Sequence, residues 1–220
     1  MSDDTLPADG RVEILSKRTV FQGYFRVDEW RVRHRRFDGS WSGPVKREIF
    51  ERGHAVGLLI YDPVRDEVAL IEQFRVGALA AGWDGWLYEV VAGIIEPGES
   101  PADVAKREAD EEAGCVVTEL IPMIRYLATP GGSTESVHLY CALVDTEGLG
   151  GIHGLDHEDE DIQVKVVPFG ETLAMLSDGR ASNSMIVIAL QWLALHRESL
   201  RRGNIPPQPR NWVDQLEPDQ

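Results

Sequence analysis

Glu108, Glu111 and Glu112 crowd together in the stretch GIIEPGESPADVAKREADEEAG, Gly93 to Gly114. On a helix, positions three and four apart are neighbours, so these carboxylates share a face and repel one another unless something positive arrives. A hard divalent cation meets that need, because Mg²⁺ takes carboxylate oxygens, keeps several waters and bridges to phosphates. For a bare ExxEE the competing reading is a solvated acidic face. A second chemistry-bearing stretch is EGLGGIHGLDHEDEDI, Glu147 to Ile162, glycine-rich and then acidic. Loops of that length in a compact domain are functional or disordered, and a solvated acidic loop is the bland alternative. His153 and His157 within it are not expected to be ligands, since hard Mg²⁺ favours oxygen. Cys115 and Cys141 sit in apolar settings (GCVV, LYCALV) and read as small buried hydrophobes rather than nucleophiles.

The elements that must position these groups are signalled locally. Ser100 is a good N-cap, Pro101 suits the first helical position, Asp103 lies in the first turn and Gly114 is a natural C-terminal stop, which predicts a helix over Ser100 to Ala113. A second helix is expected from about Asn183 to Arg202. Before residue 54, the runs RVEILSKRTV, YFRVDEWRVRHRRF and VKREIFERG, with the turn FDGSWSG, read as a small antiparallel sheet. The runs HAVGLLIYD, EVALIEQFRV, WLYEVVAG, ESVHLYCALV and DIQVKVVPF read as core strands. Strands and helices intermix, so the class is α/β or α+β with a mixed sheet. We expect three regions: an N-terminal sheet over 1–54, a main domain over 55–203 and a loosely ordered Pro-rich tail over 204–220.

The chain has 220 residues and a net charge of −15, which argues against nucleic-acid binding, since phosphate backbones repel a field of that sign. The charge is uneven. Residues 1–54 hold 11 Lys and Arg against 9 Asp and Glu, leaving −17 on the remainder. Within the basic part WRVRHRR alternates as a strand does, so a solvated strand face outranks anion binding. The acidic N-terminus lacks the sections of a signal peptide, no apolar run reaches membrane-spanning length, and two cysteines are too few for a disulfide framework. The expectation is a soluble cytoplasmic protein with no membrane partner.

Read outward, the glutamates belong to a longer pattern, G-x5-E-x7-R-E-U-x-E-E-x-G-U with U apolar: Gly93, Glu99, Arg107, Glu108, Ala109, Glu111, Glu112, Gly114, Cys115. This resembles the Nudix box, with Ala109 and Cys115 small for its apolar positions. The resemblance implies the Nudix fold, a mixed sheet sandwiched between helices, here with the N-terminal antiparallel sheet added. It implies the carbonyl of Ala92 with Glu108 and Glu112 as metal ligands, Glu111 as an auxiliary ligand, and Glu99 with Arg107 tying loop to helix. Pro130 in ATPGGSTES, fifteen residues after Cys115, resembles the ADP-ribose pyrophosphatase subgroup, although an isolated PGG is by default only a turn. REIFERGHA, DPVRDEVALIEQFR, GIHGLDHEDEDI and VIALQWLALH match the same subgroup, so the resemblance spans most of residues 20–200.

That resemblance implies cleavage of a nucleoside diphosphate linked to another group, with ADP-ribose giving AMP and ribose 5-phosphate. Two or three ions of Mg²⁺, or alternatively Mn²⁺, are implied per site. Arg47 and Arg75 match arginines that hold the diphosphate, a surface strand charge being the plain alternative for each. Tyr24, Gly93, Pro130 and Glu135 fall at substrate-contacting positions, although core packing competes for Tyr24 and Phe25. Glu158 and Glu160 align with the acidic pair of the catalytic loop, where one takes a proton from the attacking water or completes a metal shell. The family's N-terminal sheet exchanges between two subunits, so a homodimer is expected. GDP-mannose or another nucleoside diphosphate sugar is the alternative substrate. A non-catalytic ADP-ribose sensor is disfavoured, because every box residue is present.

Overall fold

The computed structural model describes residues 10–155, 157 and 159–213, so Glu158, a candidate base, lies outside the described residues. The chain divides into two compact units, one running to Gly53 and joined by Leu127–Glu135, the other His54–Tyr126 with Ser136 onward.

The first unit is an antiparallel sheet, β1 (Val12–Gln22), β2 (Arg26–His34) and β3 (Val45–Glu51), in that order. Register shifts between Ile14 and Ser16 and between Thr19 and Phe21 bend its longest strand, as bulges do. The basic run is a strand as expected as far as His34, and its charges are used locally: Arg33 pairs with Glu13, and Arg35, just past the strand, lies 4.3 Å over the Trp41 ring. The segment 127–135 adds to β3, with the Phe50 N–H donating to the Gly132 carbonyl at 2.7 Å.

The second unit is built on β4 (His54–Asp62), which is buried along almost its whole length. β4 runs parallel to β9 (Ser136–Leu143) on one side. On the other it pairs antiparallel with β7 (Val91–Ile95) through His54–Leu58, then with β5 (Glu67–Phe74) through Ile60–Asp62. β5 also carries β6 (Trp86–Glu89) and β11 (Ile162–Pro168), β10 (Gly151–His153) pairs with β11, and β8 (Ile121–Leu127) flanks β9. The helices are the five-residue α1 (Val76–Ala80), then α2 (Pro101–Ala113), α3 (Phe169–Asp178) and α4 (Ser184–Arg201).

Strand alternation makes the sheet two-sided. Val56, Leu58 and Ile60 join Val104, Ala105 and Ala109 of α2 in one apolar cluster. Gly57 faces the other way: a Cβ there would lie 2.5 Å from Leu139 and 3.3 Å from Met185 of α4. Helices thus cover both faces of the mixed sheet.

Three features depart from the sequence reading. WLYEVVAG is not one strand, because the chain changes partner at the fully buried Val90, from β5 to β4. α3 was not anticipated, and neither was the short α1. The tail is not loose up to Trp212, whose indole is 9% exposed and stands edge-on to Tyr140 at 4.7 Å, while Asn211 donates to the Arg125 carbonyl.

Candidate active site

α2 forms as its ends dictate. Ser100 Oγ accepts from the Asp103 N–H at 3.1 Å, Pro101 opens the helix, and Gly114 ends it at φ 57°. Val104, Ala105 and Ala109 anchor its inner face, and the same periodicity turns Glu112 inward, leaving it 3% exposed. A buried carboxylate needs partners. Glu112 Oε2 accepts the Ala92 N–H at 2.9 Å. In an extended strand the N–H and C=O of one residue face the same edge, so the Ala92 carbonyl is presented on the α2 side too.

Glu108 comes down beside it. A Cβ on Gly93 would lie 1.9 Å from Glu108 Oε1, so only glycine lets this carboxylate reach the strand backbone. Gly93 therefore earns its place through close approach, not through its backbone angles. Arg107 stands at the edge, 2.9 Å from both Glu108 and Glu111 and 3.8 Å from Glu99. The Glu99–Arg107 tie from loop to helix is present, though the tighter bonds of Arg107 run along the helix.

Burial pushes the Glu108 carboxyl up to about 7, with Arg107 opposing and the nearby Glu111 and Glu160 reinforcing the rise. Burial likewise pushes Glu112 up to about 8, against the Ala92 N–H and with Glu108 and Glu160 adding to it. Glu160 is thus electrostatically joined to both. Among the described residues no three acidic, His or Cys side chains already stand together as a finished cation shell. The donors nonetheless fit a hard divalent ion: a buried and a half-buried carboxylate, both under-neutralised, a carbonyl on the same edge and a third carboxylate acting on both.

Raised folded-state pKa values have a definite consequence for the metal-free protein. Relative to an ordinary value of 4.5, protonated Glu108 and Glu112 contribute stability that is complete below pH 4.5 and lost as pH rises through 7 and 8. The melting temperature in chelator should therefore fall between pH 5 and pH 8.5, and excess Mg²⁺ should reverse the fall. A flat profile in a calorimetric scan would contradict the burial of these carboxylates.

Arg75 closes the described site. Its Nε and Nη2 donate to Glu89 Oε2 at 3.0 and 2.7 Å, and Gln73 and Asn183 brace the same carboxylate at 3.2 and 3.0 Å. Burial works against the Arg75 cation, but Glu89, with Glu112 and Glu160 adding to it, outweighs that and holds it charged. Glu89, Gln73 and Asn183 were missed in the sequence, where each looks like an isolated polar residue in an apolar strand or at a helix cap.

The remaining candidates lie in the first unit. Arg47 is exposed on β3 and donates to the Lys46 carbonyl at 2.7 Å. Tyr24 is exposed and stands edge-on to Phe25 at 4.8 Å, Phe25 in turn packing on Phe50. Pro130 is exposed in the turn where the Gly132 N–H donates to the Thr129 carbonyl, and Glu135 is buried against Arg52 at 3.1 Å. The two cysteines are buried, and burial pushes the Cys141 thiol up to about 12, which makes it a poor nucleophile.

Comparison with known proteins bears on the family and the fold. The NUDIX domain family model matches residues 51–187. The chain is 48% identical over 204 residues to an ADP-ribose pyrophosphatase of Escherichia coli (strain K12), covering 91% of this chain and 98% of that protein. It is 40% identical to an ADP-ribose pyrophosphatase of Haemophilus influenzae over 87% of this chain and 90% of the other. A GDP-mannose pyrophosphatase of Pectobacterium atrosepticum is 32% identical over 82% and 92%. Among solved structures, an ADP compounds hydrolase aligns with a TM-score of 0.63 at 22% identity, covering 84% of this chain and 96% of that one, a likeness of fold.

Proposed function

The chain belongs to the NUDIX domain family of hydrolases, and from that premise we propose that it hydrolyses ADP-ribose to AMP and ribose 5-phosphate with Mg²⁺. The observation that carries the chemistry is the pair of carboxylates, half-buried Glu108 and buried Glu112, laid against the main chain of Ala92 and Gly93. The substrate is supported by the relatives alike over about nine-tenths of the chain that bear the ADP-ribose pyrophosphatase name.

In this reading Glu108, Glu112, Glu160 and the Ala92 carbonyl hold two or three Mg²⁺ or Mn²⁺ ions. When bound, such ions neutralise a diphosphate and make water a competent nucleophile at neutral pH. The protein's own groups do the rest. Arg107 holds Glu111 in place, and Arg75, braced by Glu89, presents its fork to a phosphate. Glu160 Oε2 is engaged by the Leu155 N–H at 3.2 Å, and Oε1 is the oxygen that completes the metal shell or, in the alternative role, accepts the proton of the attacking water. Glu158 competes for that role. The new bond joins water oxygen to the adenosyl phosphorus, the bond from that phosphorus to the bridging oxygen breaks, and the bridging oxygen leaves with ribose 5-phosphate.

The test is a substrate panel of ADP-ribose, GDP-mannose, NADH, FAD and nucleoside triphosphates with Mg²⁺, run in ¹⁸O-water. ADP-ribose should be preferred and the label should appear in AMP. Label in ribose 5-phosphate would reverse the site of attack, and preference for GDP-mannose would substitute the second substrate class. Arg47, Tyr24, Pro130 and Glu135 are proposed as substrate contacts. In the same assay Arg47→Ala should raise KM by about tenfold or more, since a diphosphate contact is present in both ground and transition states.

For assembly we propose a homodimer joined through the basic N-terminal sheet, whose β1 leaves the apolar side chains of Leu15, Val20 and Phe21 exposed. Sedimentation at micromolar concentration that showed only a 24.5 kDa species would overturn it. We place the protein in the cytoplasm, where two unpaired cysteines are at home; no helix among the described residues is long and apolar enough to cross a membrane. The acidic balance supports no nucleic-acid partner.

A further inference from the structure

We propose that His153 is a positioning residue, which seats the loop carrying Glu160 on the C-terminal end of α2 and so holds the loop carboxylate in register with Glu108 and Glu112. The inference rests on the reading of the site given above and adds to it a residue outside the box.

His153 ends β10, and its ring lies directly on Gly114. A Cβ at Gly114 would be 2.6 Å from Cε1 and 3.2 Å from Nδ1 of the ring. Gly114 thus serves twice, once for φ 57° at the helix stop and once as the floor for an imidazole. The ring is fixed from its far side as well. Nε2 lies 3.0 Å from the Gly150 carbonyl, and since a carbonyl only accepts, Nε2 carries the proton and donates it.

The next residue makes the connection to the helix. The Gly154 N–H donates to the Glu111 carbonyl at 3.3 Å. That carbonyl belongs to the last turn of α2, where the helix itself supplies no partner. Gly154 has φ 105°, and a Cβ on it would stand 2.9 Å from the Glu160 carbonyl oxygen, so the chain at Glu160 folds back onto it. Two further bonds close the turn: Leu155 N–H to Glu160 Oε2 at 3.2 Å, and Glu160 N–H to the Leu155 carbonyl at 3.4 Å. A short path of main-chain contacts therefore runs from the turn of Glu111 and Glu112 through Gly154 to Glu160. The side chain that locks it is His153. A catalytic site must be held within about 0.5 Å of its productive geometry, and groups that orient the acting residues supply that hold.

The experiment uses the full chain as wild type, His153→Ala, His153→Gln, Gly114→Ala and the His153→Ala/Gly114→Ala double variant. Glutamine keeps an amide donor for the Gly150 carbonyl. The first readout needs no substrate: hydrogen exchange at the Gly154 and Leu155 amides in metal-free protein, which His153→Ala should accelerate about tenfold while core strands stay protected. The second is steady-state kinetics with ADP-ribose and Mg²⁺. His153→Ala should lower kcat about 10- to 100-fold, the usual cost of losing a group that orients a ligand, with KM within about twofold. His153→Gln should recover most of that loss. Gly114→Ala should show the same signature, and the double variant should lose less than the product of the two single losses, because the colliding pair is removed together. Unchanged exchange in His153→Ala would overturn the proposal, as would a kcat near wild type, or a loss that glutamine does not restore. If the wild type fails to hydrolyse ADP-ribose at all, that defeats the proposed substrate, and the exchange result still decides the role of His153.

Discussion

Glu112→Gln should lower kcat for ADP-ribose by about 10³-fold or more with little change in KM, since losing one preorganised charge-stabilising group costs about 10²–10³ and this one is proposed to hold a cation as well. The amide is nearly isosteric and can still accept the Ala92 N–H, so the fold gives no reason for the loss. Stability should move the opposite way. Burial holds the wild-type carboxyl at about 8, so at pH 8.5 the metal-free wild type buries a charge that the variant lacks. Glu112→Gln in chelator should then melt above the wild type, and Mg²⁺ should raise its melting temperature less. Equal shifts with Mg²⁺ in the two proteins, or an undiminished kcat, would remove Glu112 from the metal site.

Gly93→Ala should be nearly as damaging to kcat, by about 10²-fold, while the fold survives. The added Cβ would fall 1.9 Å from Oε1, 2.4 Å from Cδ and 2.5 Å from Cγ of Glu108, all on a side chain that can swing aside. The strand stays put and the carboxylate leaves. The expected signature is a melting temperature within a few degrees of wild type, about 1 kcal/mol at most, alongside a weakened Mg²⁺ dependence of activity. Circular dichroism and Mg²⁺ titrations of rate would check it. A variant of normal activity would mean that Glu108 works from another position.

How far these groups could be read in advance depends on how local their causes are. α2 was legible end to end, because a cap serine, a leading proline and a stopping glycine act within one turn of themselves. The basic run of β2 was legible as a strand by its alternation. The break at Val90 was not, since the residues on either side are equally apolar and only the exchange of partner from β5 to β4 separates them. The bracing of Arg75 was hidden for a similar reason: Glu89 meets Gln73 and Asn183 from 16 and 94 positions away, and no local pattern links them. Trp212 shows the limit of composition. A proline-rich tail averages to a loose segment, yet one indole finds the core beside Tyr140.

The bond from Ala92 to Glu112 is made by a peptide N–H, and that has a consequence for how such a site drifts over generations. Every residue except proline carries that donor, so position 92 can wander among side chains that fit without disturbing the carboxylate it holds. Position 93 has no such latitude, because any atom beyond Cα occupies the place of Glu108. Neighbouring positions in one strand thus face opposite selective regimes, one nearly neutral and one frozen, and a deep mutational scan would register the step between them as an abrupt cliff.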